Sequence, residues 1–214
     1  MASPDSTVDR LRNIEHEEFE HVVVLLEHMR LTWLLRHFPR RAVHALYVLI
    51  NGFLTVGILA VLAFATGSPF IFPSVGPSAY LFFFTPMAKS ASPRHAILGH
   101  GIGLICGYLA LMVTGAAAFP FSAHVGFHWQ LILSAALSLS VTGAIMILLR
   151  VSHPPAGATT LIVSLGIIYH PIDLLIIEAA VVLLVLQALA INRLAGVPYP
   201  FWNPAKSVPP LLRS

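Results

Sequence analysis

Hydroxyl side chains, in one case with an imidazole, stand beside proline and glycine in two places in this chain, both inside sequence apolar enough for a bilayer. The first peptide is Pro73-Ser74-Val75-Gly76-Pro77-Ser78-Ala79, and the second is His153-Pro154-Pro155-Ala156-Gly157-Ala158-Thr159-Thr160. Both carry the pattern Pro-x-x-Gly-x-[Ser/Thr], followed by a short apolar run. Pro and Gly at these positions prevent one straight helix through either segment. A helix starting inside the membrane presents backbone N–H groups and an effective charge of about +0.5 at its N-terminus. With the hydroxyls of Ser74, Ser78, Thr159 and Thr160, two such starts make an anion site that needs no Lys or Arg. Small residues at Gly76, Gly157 and Ala158 let backbone approach backbone, which suits an anion of a few atoms. The bland reading is that Ser and Thr cap helices and the glycines only pack.

Other side chains extend this chemistry. His153 adjoins the second broken segment and is placed to meet a substrate or a proton. His100 and Glu178 fall inside apolar runs, where ionisable groups are functional candidates by default. The spacing of two Pro-led helices, Ser92-Pro93 and His170-Pro171, pairs His100 with Glu178, so the two are candidates for a proton relay. A neutral His bonded to a carbonyl is the simpler account of either imidazole. No His, Asp or Glu grouping has metal-ligand spacing, and neither metal nor cofactor is expected. Cys106 is the single cysteine, which excludes an internal disulfide. No nucleophile–base motif is legible, and an enzyme is not expected.

The elements positioning these groups are membrane segments. The chain of 214 residues is 57% hydrophobic and only 10% charged, against roughly 25% charged in soluble domains. Seven of nine acidic residues lie at or before Glu27, leaving only Asp173 and Glu178 beyond. The net charge of +3 is small and spread out, so a nucleic-acid partner is not expected. Apolar stretches run approximately over 43–65, 69–86, 95–118, 129–149, 154–168 and 172–193. The second and fifth are the broken ones, and the others are long enough to span. If all six cross, the outer loops hold no Lys or Arg, and all 12 basic residues fall on the cytoplasmic side. Re-entrant second and fifth segments would instead put Lys89, Arg94 and Arg150 outside.

Six crossings make two units of three, the second entering from the opposite face, as in inverted-topology repeats. The expected fold is therefore an all-α polytopic membrane protein of two inverted three-segment repeats. The expected organisation is a cytoplasmic amphipathic arm (1–41), a first transmembrane repeat (42–118), an outer loop (119–128), a second transmembrane repeat (129–194) and a cytoplasmic Pro-rich tail (195–214). The arm lies either on the membrane surface or on the protein's own cytoplasmic face. Its helices are expected within residues 5–38. Helix starts are expected near Pro77 and near Gly157 or Ala158. Gly99, Gly103 and Gly107 form a small-residue stripe for close helix contact, between the two units or between subunits of a homo-oligomer.

The run Arg150-Val151-Ser152-His153-Pro154-Pro155-Ala156-Gly157-Ala158 resembles the HPP family of integral membrane proteins, named for its His-Pro-Pro triplet. The resemblance extends through Phe72-Pro73-Ser74-Val75-Gly76-Pro77-Ser78-Ala79 and Ser92-Pro93-Arg94, and covers about residues 40–194. Some members are implicated in nitrite transport, so the resemblance implies nitrite as substrate. The family is often described with four membrane helices, from which six segments depart.

The expected function is passage of a small monovalent inorganic anion, nitrite first, through a midplane site in a bacterial inner membrane, with both termini cytoplasmic. The site residues are Ser74, Gly76, Ser78, His153, Pro154, Pro155, Gly157, Thr159 and Thr160, with His100 and Glu178 as proton relay. The rivals are a cation or proton pathway, and a non-transporting membrane sensor or assembly protein.

Overall fold

Each long apolar run becomes one helix, and each Pro-Gly peptide becomes the start of a short one. The computed structural model describes residues 30–119, 121, 128–207 and 209. Within them the protein has seven α-helices and no strand. They are α1 (Leu31–His37), α2 (Arg40–Thr66), α3 (Val75–Phe84), α4 (Pro93–Val113), α5 (Trp129–Leu148), α6 (Ala156–Ser164) and α7 (Pro171–Leu194). Helices α2, α4, α5 and α7 have 27, 21, 20 and 24 residues, and all are apolar enough to cross a membrane. At 1.5 Å per residue each matches or exceeds a hydrocarbon core of about 30 Å.

Their burial separates a centre from a periphery. Half of the apolar stretch of α4 is buried, against 11% in α2. Phe53, Val61 and Phe64 of α2 are exposed, as suits a face turned to lipid. The glycine stripe of α4 is occupied by α6 of the same chain. A Cβ on Gly103 would lie 2.8 Å from Thr160 Oγ1 and 2.9 Å from the Ala156 carbonyl oxygen, and one on Gly107 would lie 2.8 Å from the Thr160 carbonyl oxygen. Gly99 faces the His153 Cβ at 2.8 Å in the same way. The stripe is therefore an internal contact, and all three glycines are buried within the chain.

Basic residues gather at one end of the helices. Arg30 and Thr32 border Gly196, Arg193 Nε donates to the Tyr199 carbonyl at 3.0 Å, and the Arg94 N–H donates to the Trp202 carbonyl at 3.1 Å. The buried Tyr199 hydroxyl donates to the Ala91 carbonyl, pinning the tail to the turn before α4. Leu31 and Leu35 of α1 are buried against the protein, so the described part of the arm packs on the protein's own face. Residues 1–29 of the arm, most of the expected 5–38 helices, lie outside the described residues.

At the opposite end a cleft of about 520 Å³ is lined by Ala63, Gly67–Pro69, Ile167–His170 and Asp173. The described residues at this end, 66–70, 114–119 and 165–172, contain no Lys or Arg.

Candidate functional site

The two broken segments are built by proline. Pro69 and Pro73 hold the approach to α3 extended, and Pro154-Pro155 precede α6. Helix α3 begins at Val75 with Pro77 in its first turn, and α6 begins at Ala156. Both start one or two residues before the positions expected from Pro77 and Gly157. Proline lacks only an N–H, and first-turn N–H groups have no intrahelical acceptor, so the helix does not wait for it. Ser92-Pro93 and His170-Pro171 do open long helices, with Pro at the first position in each.

Five polar side chains from three elements meet in one buried cluster. Ser74 and Ser78 come from the start of α3, His100 from α4, His153 from the turn before α6, and Thr159 from α6; none is more than 1% exposed. Ser74 Oγ and Thr159 Oγ1 are 2.6 Å apart, and Thr159 Oγ1 is 2.7 Å from His100 Nδ1. Ser78 Oγ lies 3.1 Å from the Nε2 atoms of both His100 and His153, which are 3.2 Å from each other. His153 Nδ1 donates to the Ser90 carbonyl at 2.8 Å. Phe72 sets its edge near the His100 ring and Phe82 stacks over His153, closing the cluster with apolar walls. His100 is the eighth residue of α4, so the cluster lies about 10 Å along that helix from the basic end.

The pairing Ser74–Thr159 and Ser78–His153 shows that α3 and α6 run past each other in opposite directions at their starts. Their backbone donors differ. The N–H groups of Ala156, Gly157 and Ala158 are bonded to the carbonyls of His153, Pro154 and Pro155 at 3.0–3.1 Å. The start of α6 therefore offers no unpaired amides, contrary to the expectation from its sequence, because the Pro-Pro turn supplies acceptors. In α3 the Val75 N–H is bonded to the Phe72 carbonyl, and Gly76 is the donor left without a backbone acceptor. Gly76 is exposed, and a Cβ there would meet nothing within 4 Å. Backbone does not approach backbone at Gly76. At Gly157 the nearest neighbour is a Leu139 methyl at 3.4 Å, so close backbone approach is absent there too.

The remaining expected site residues stand apart. Thr160 turns away, donating to the Ala156 carbonyl at 3.0 Å and meeting Thr142 of α5 at 3.2 Å. Pro154 is exposed and Pro155 buried. Glu178 is not joined to His100: its carboxylate lies over Gly101, and its buried Oε2 has no hydrogen-bond partner. His100 bonds His153 instead. This contact was not legible, because it depends on Gly99 letting the His153 Cβ close against α4. Thr142, the Ser90 carbonyl and the two Phe walls also had no sequence signal. Asp173 and His170 line the cleft at the opposite end. Among the described residues no group of three or more His, Cys, Asp or Glu could hold a metal.

A helical membrane domain whose broken segments and central helix enclose a buried hydroxyl–imidazole cluster is the class these observations define. The sequence matches the HPP transmembrane region over residues 38–200, and the chain belongs to the HPP family of membrane proteins. No curated protein and no solved structure matches it.

Proposed function

We propose that this protein carries a small monovalent inorganic anion, nitrite first, across a bacterial inner membrane. The observation that carries the reading is the burial of five polar side chains from α3, α4 and α6 in one cluster with no carboxylate in it. Polar groups are costly to bury inside a membrane domain unless hydrogen-bonded, and ionisable groups such as the two imidazoles are functional candidates there. The unpaired Gly76 N–H beside Ser74 adds a donor in open space at a helix N-terminus, where an anion is favoured. Nitrite is what the family resemblance supplies.

The same reading takes the chain through the membrane six times. Segments 69–89 and 152–168 each lead from one end of the helices to the other. A long, a short and a long helix then recur in opposite senses, as an inverted repeat would require. The gathering of basic residues at one end supports a cytoplasmic placement of that end, and of both termini. Ser78 within reach of His153 and His100 also resembles a nucleophile beside a base. However, the Ser78 N–H is bonded to the Ser74 carbonyl and the two imidazoles are bonded to each other, so we keep a non-enzymatic function.

The test is nitrite uptake by purified protein in liposomes, against nitrate, chloride, Na⁺ and K⁺. Nitrite flux well above that of protein-free vesicles is expected. Flux indistinguishable from empty vesicles for every ion would leave a sensor or assembly role. A proton pathway is the second reading, favoured by the unbroken chain from Ser74 to Ser90, and it predicts proton flux with no anion present.

A further inference from the structure

The cluster is a directed chain of hydrogen bonds, and the position of each hydrogen follows from its fixed end. A carbonyl only accepts, so His153 carries its hydrogen on Nδ1, toward Ser90. The neutral ring then has a bare Nε2, facing Ser78 Oγ and His100 Nε2. If His100 carried its hydrogen on Nδ1, two bare nitrogens 3.2 Å apart would share the single hydrogen of Ser78. With the hydrogen on His100 Nε2, two bare nitrogens no longer face each other. His100 donates to His153, Thr159 donates to His100 Nδ1, and Ser74 donates to Thr159.

One added proton reverses part of this chain. His100 then bears hydrogens on both nitrogens, so Thr159 must accept at Oγ1 and turn its own hydrogen to Ser74. Ser74 becomes an acceptor, and its hydroxyl hydrogen turns away from Thr159. No carboxylate bonds the imidazole pair. The titratable and charged groups around it are His95, buried earlier in α4 against the Ser152 backbone, Lys89 and Arg94 near the basic end, and Glu178 of α7 over Gly101. A proton on the pair therefore calls for an anion to arrive with it.

We propose that the protein is a proton–anion symporter, in which the Ser74–Thr159–His100–His153 chain takes up one proton for each anion bound at the start of α3. This rests on the anion reading above. A proton received by Ser74 displaces the hydroxyl hydrogen of Ser74 to Thr159, and that of Thr159 to His100 Nδ1. Bonds made and broken balance at every oxygen, and the net change is one N–H on His100. The cycle is electroneutral.

The experiment measures nitrite uptake and lumenal pH together in proteoliposomes, with the membrane voltage clamped by K⁺ and valinomycin and protein-free vesicles subtracting diffusion of nitrous acid. One proton should enter with each nitrite, voltage should have no effect, and accumulation should follow the pH gradient at about tenfold per unit. Thr159→Val breaks the chain and should leave a reduced flux that carries current and ignores the pH gradient; Thr159→Ser should restore coupling. Ser74→Ala removes the end of the chain with less change in shape, and should uncouple in the same way. Voltage-driven wild-type nitrite flux without proton entry would overturn the symport and leave the anion reading standing. So would full coupling in Thr159→Val or Ser74→Ala. Absence of any nitrite flux would remove both.

Discussion

Helices α3 and α6 begin with the same peptide pattern and have different surroundings. The start of α6 is closed: its first amides are consumed by the Pro154-Pro155 turn, and its side lies in the glycine groove of α4. The start of α3 is open at Gly76, with one amide unpaired, although Ser74 and Ser78 on its other side are fully inside. Pro-x-x-Gly-x-[Ser/Thr] thus specifies a broken segment and a hydroxyl, and the surroundings decide whether its start is closed or open. In this protein α6 anchors the imidazole cluster, and α3 presents it.

The largest expected effect tests the closed side. Gly107→Ala places a methyl within 2.8 Å of the Thr160 carbonyl and 2.9 Å of the Val163 Cβ. Backbone cannot yield as a flexible side chain can, so a loss of about 1–3 kcal/mol is expected. It would be read as a lower melting temperature and poor recovery in detergent, and an unchanged melting curve would mean that α6 does not occupy the groove.

The matching change on the open side is Gly76→Val. It should leave the melting temperature near that of the wild type, since nothing lies within 4 Å of the new Cβ. Nitrite flux should fall roughly tenfold as the branched side chain shields the free N–H. Normal flux in this variant would move the anion site away from α3.

His100→Gln is expected to be intermediate in stability and severe in transport. Glutamine can replace one contact but not both Nδ1 to Thr159 and Nε2 to His153, so a loss of about 1–3 kcal/mol of stability is expected. The dependence of uptake on external pH, rising as pH falls in the wild type, should disappear. Retention of that dependence would show that the imidazole pair is not the proton site.

The smallest effect is expected from Glu178→Gln. The carboxylate makes no bond with His100, and the amide keeps its shape over Gly101. Uptake and its pH response should match the wild type, and a flattened pH response would bring Glu178 back into the relay.

The sequence by itself determined the class of this protein. Hydropathy marks four long helices, because a bilayer demands runs of about 20 apolar residues. Proline and glycine mark the two broken segments, because neither residue supports an uninterrupted helix there. The two broken-segment peptides named Ser74, Ser78, His153 and Thr159 together with Thr160, and His100 was singled out only as a partner for Glu178. What the tertiary structure decided is which of these side chains touch. The offset that paired His100 with Glu178 compares positions along two helices, and contact depends on their rotation and on their neighbours. Gly99 lacks a Cβ, His153 closes against it, and the two imidazoles meet. The same holds for amides: Gly157 and Gly76 read alike in sequence, but only at Gly76 does the preceding turn leave the N–H without an acceptor. Periodicity and residue type are local properties. Hydrogen-bond partnership across helices is settled only when packing fixes distances to within a few tenths of an ångström.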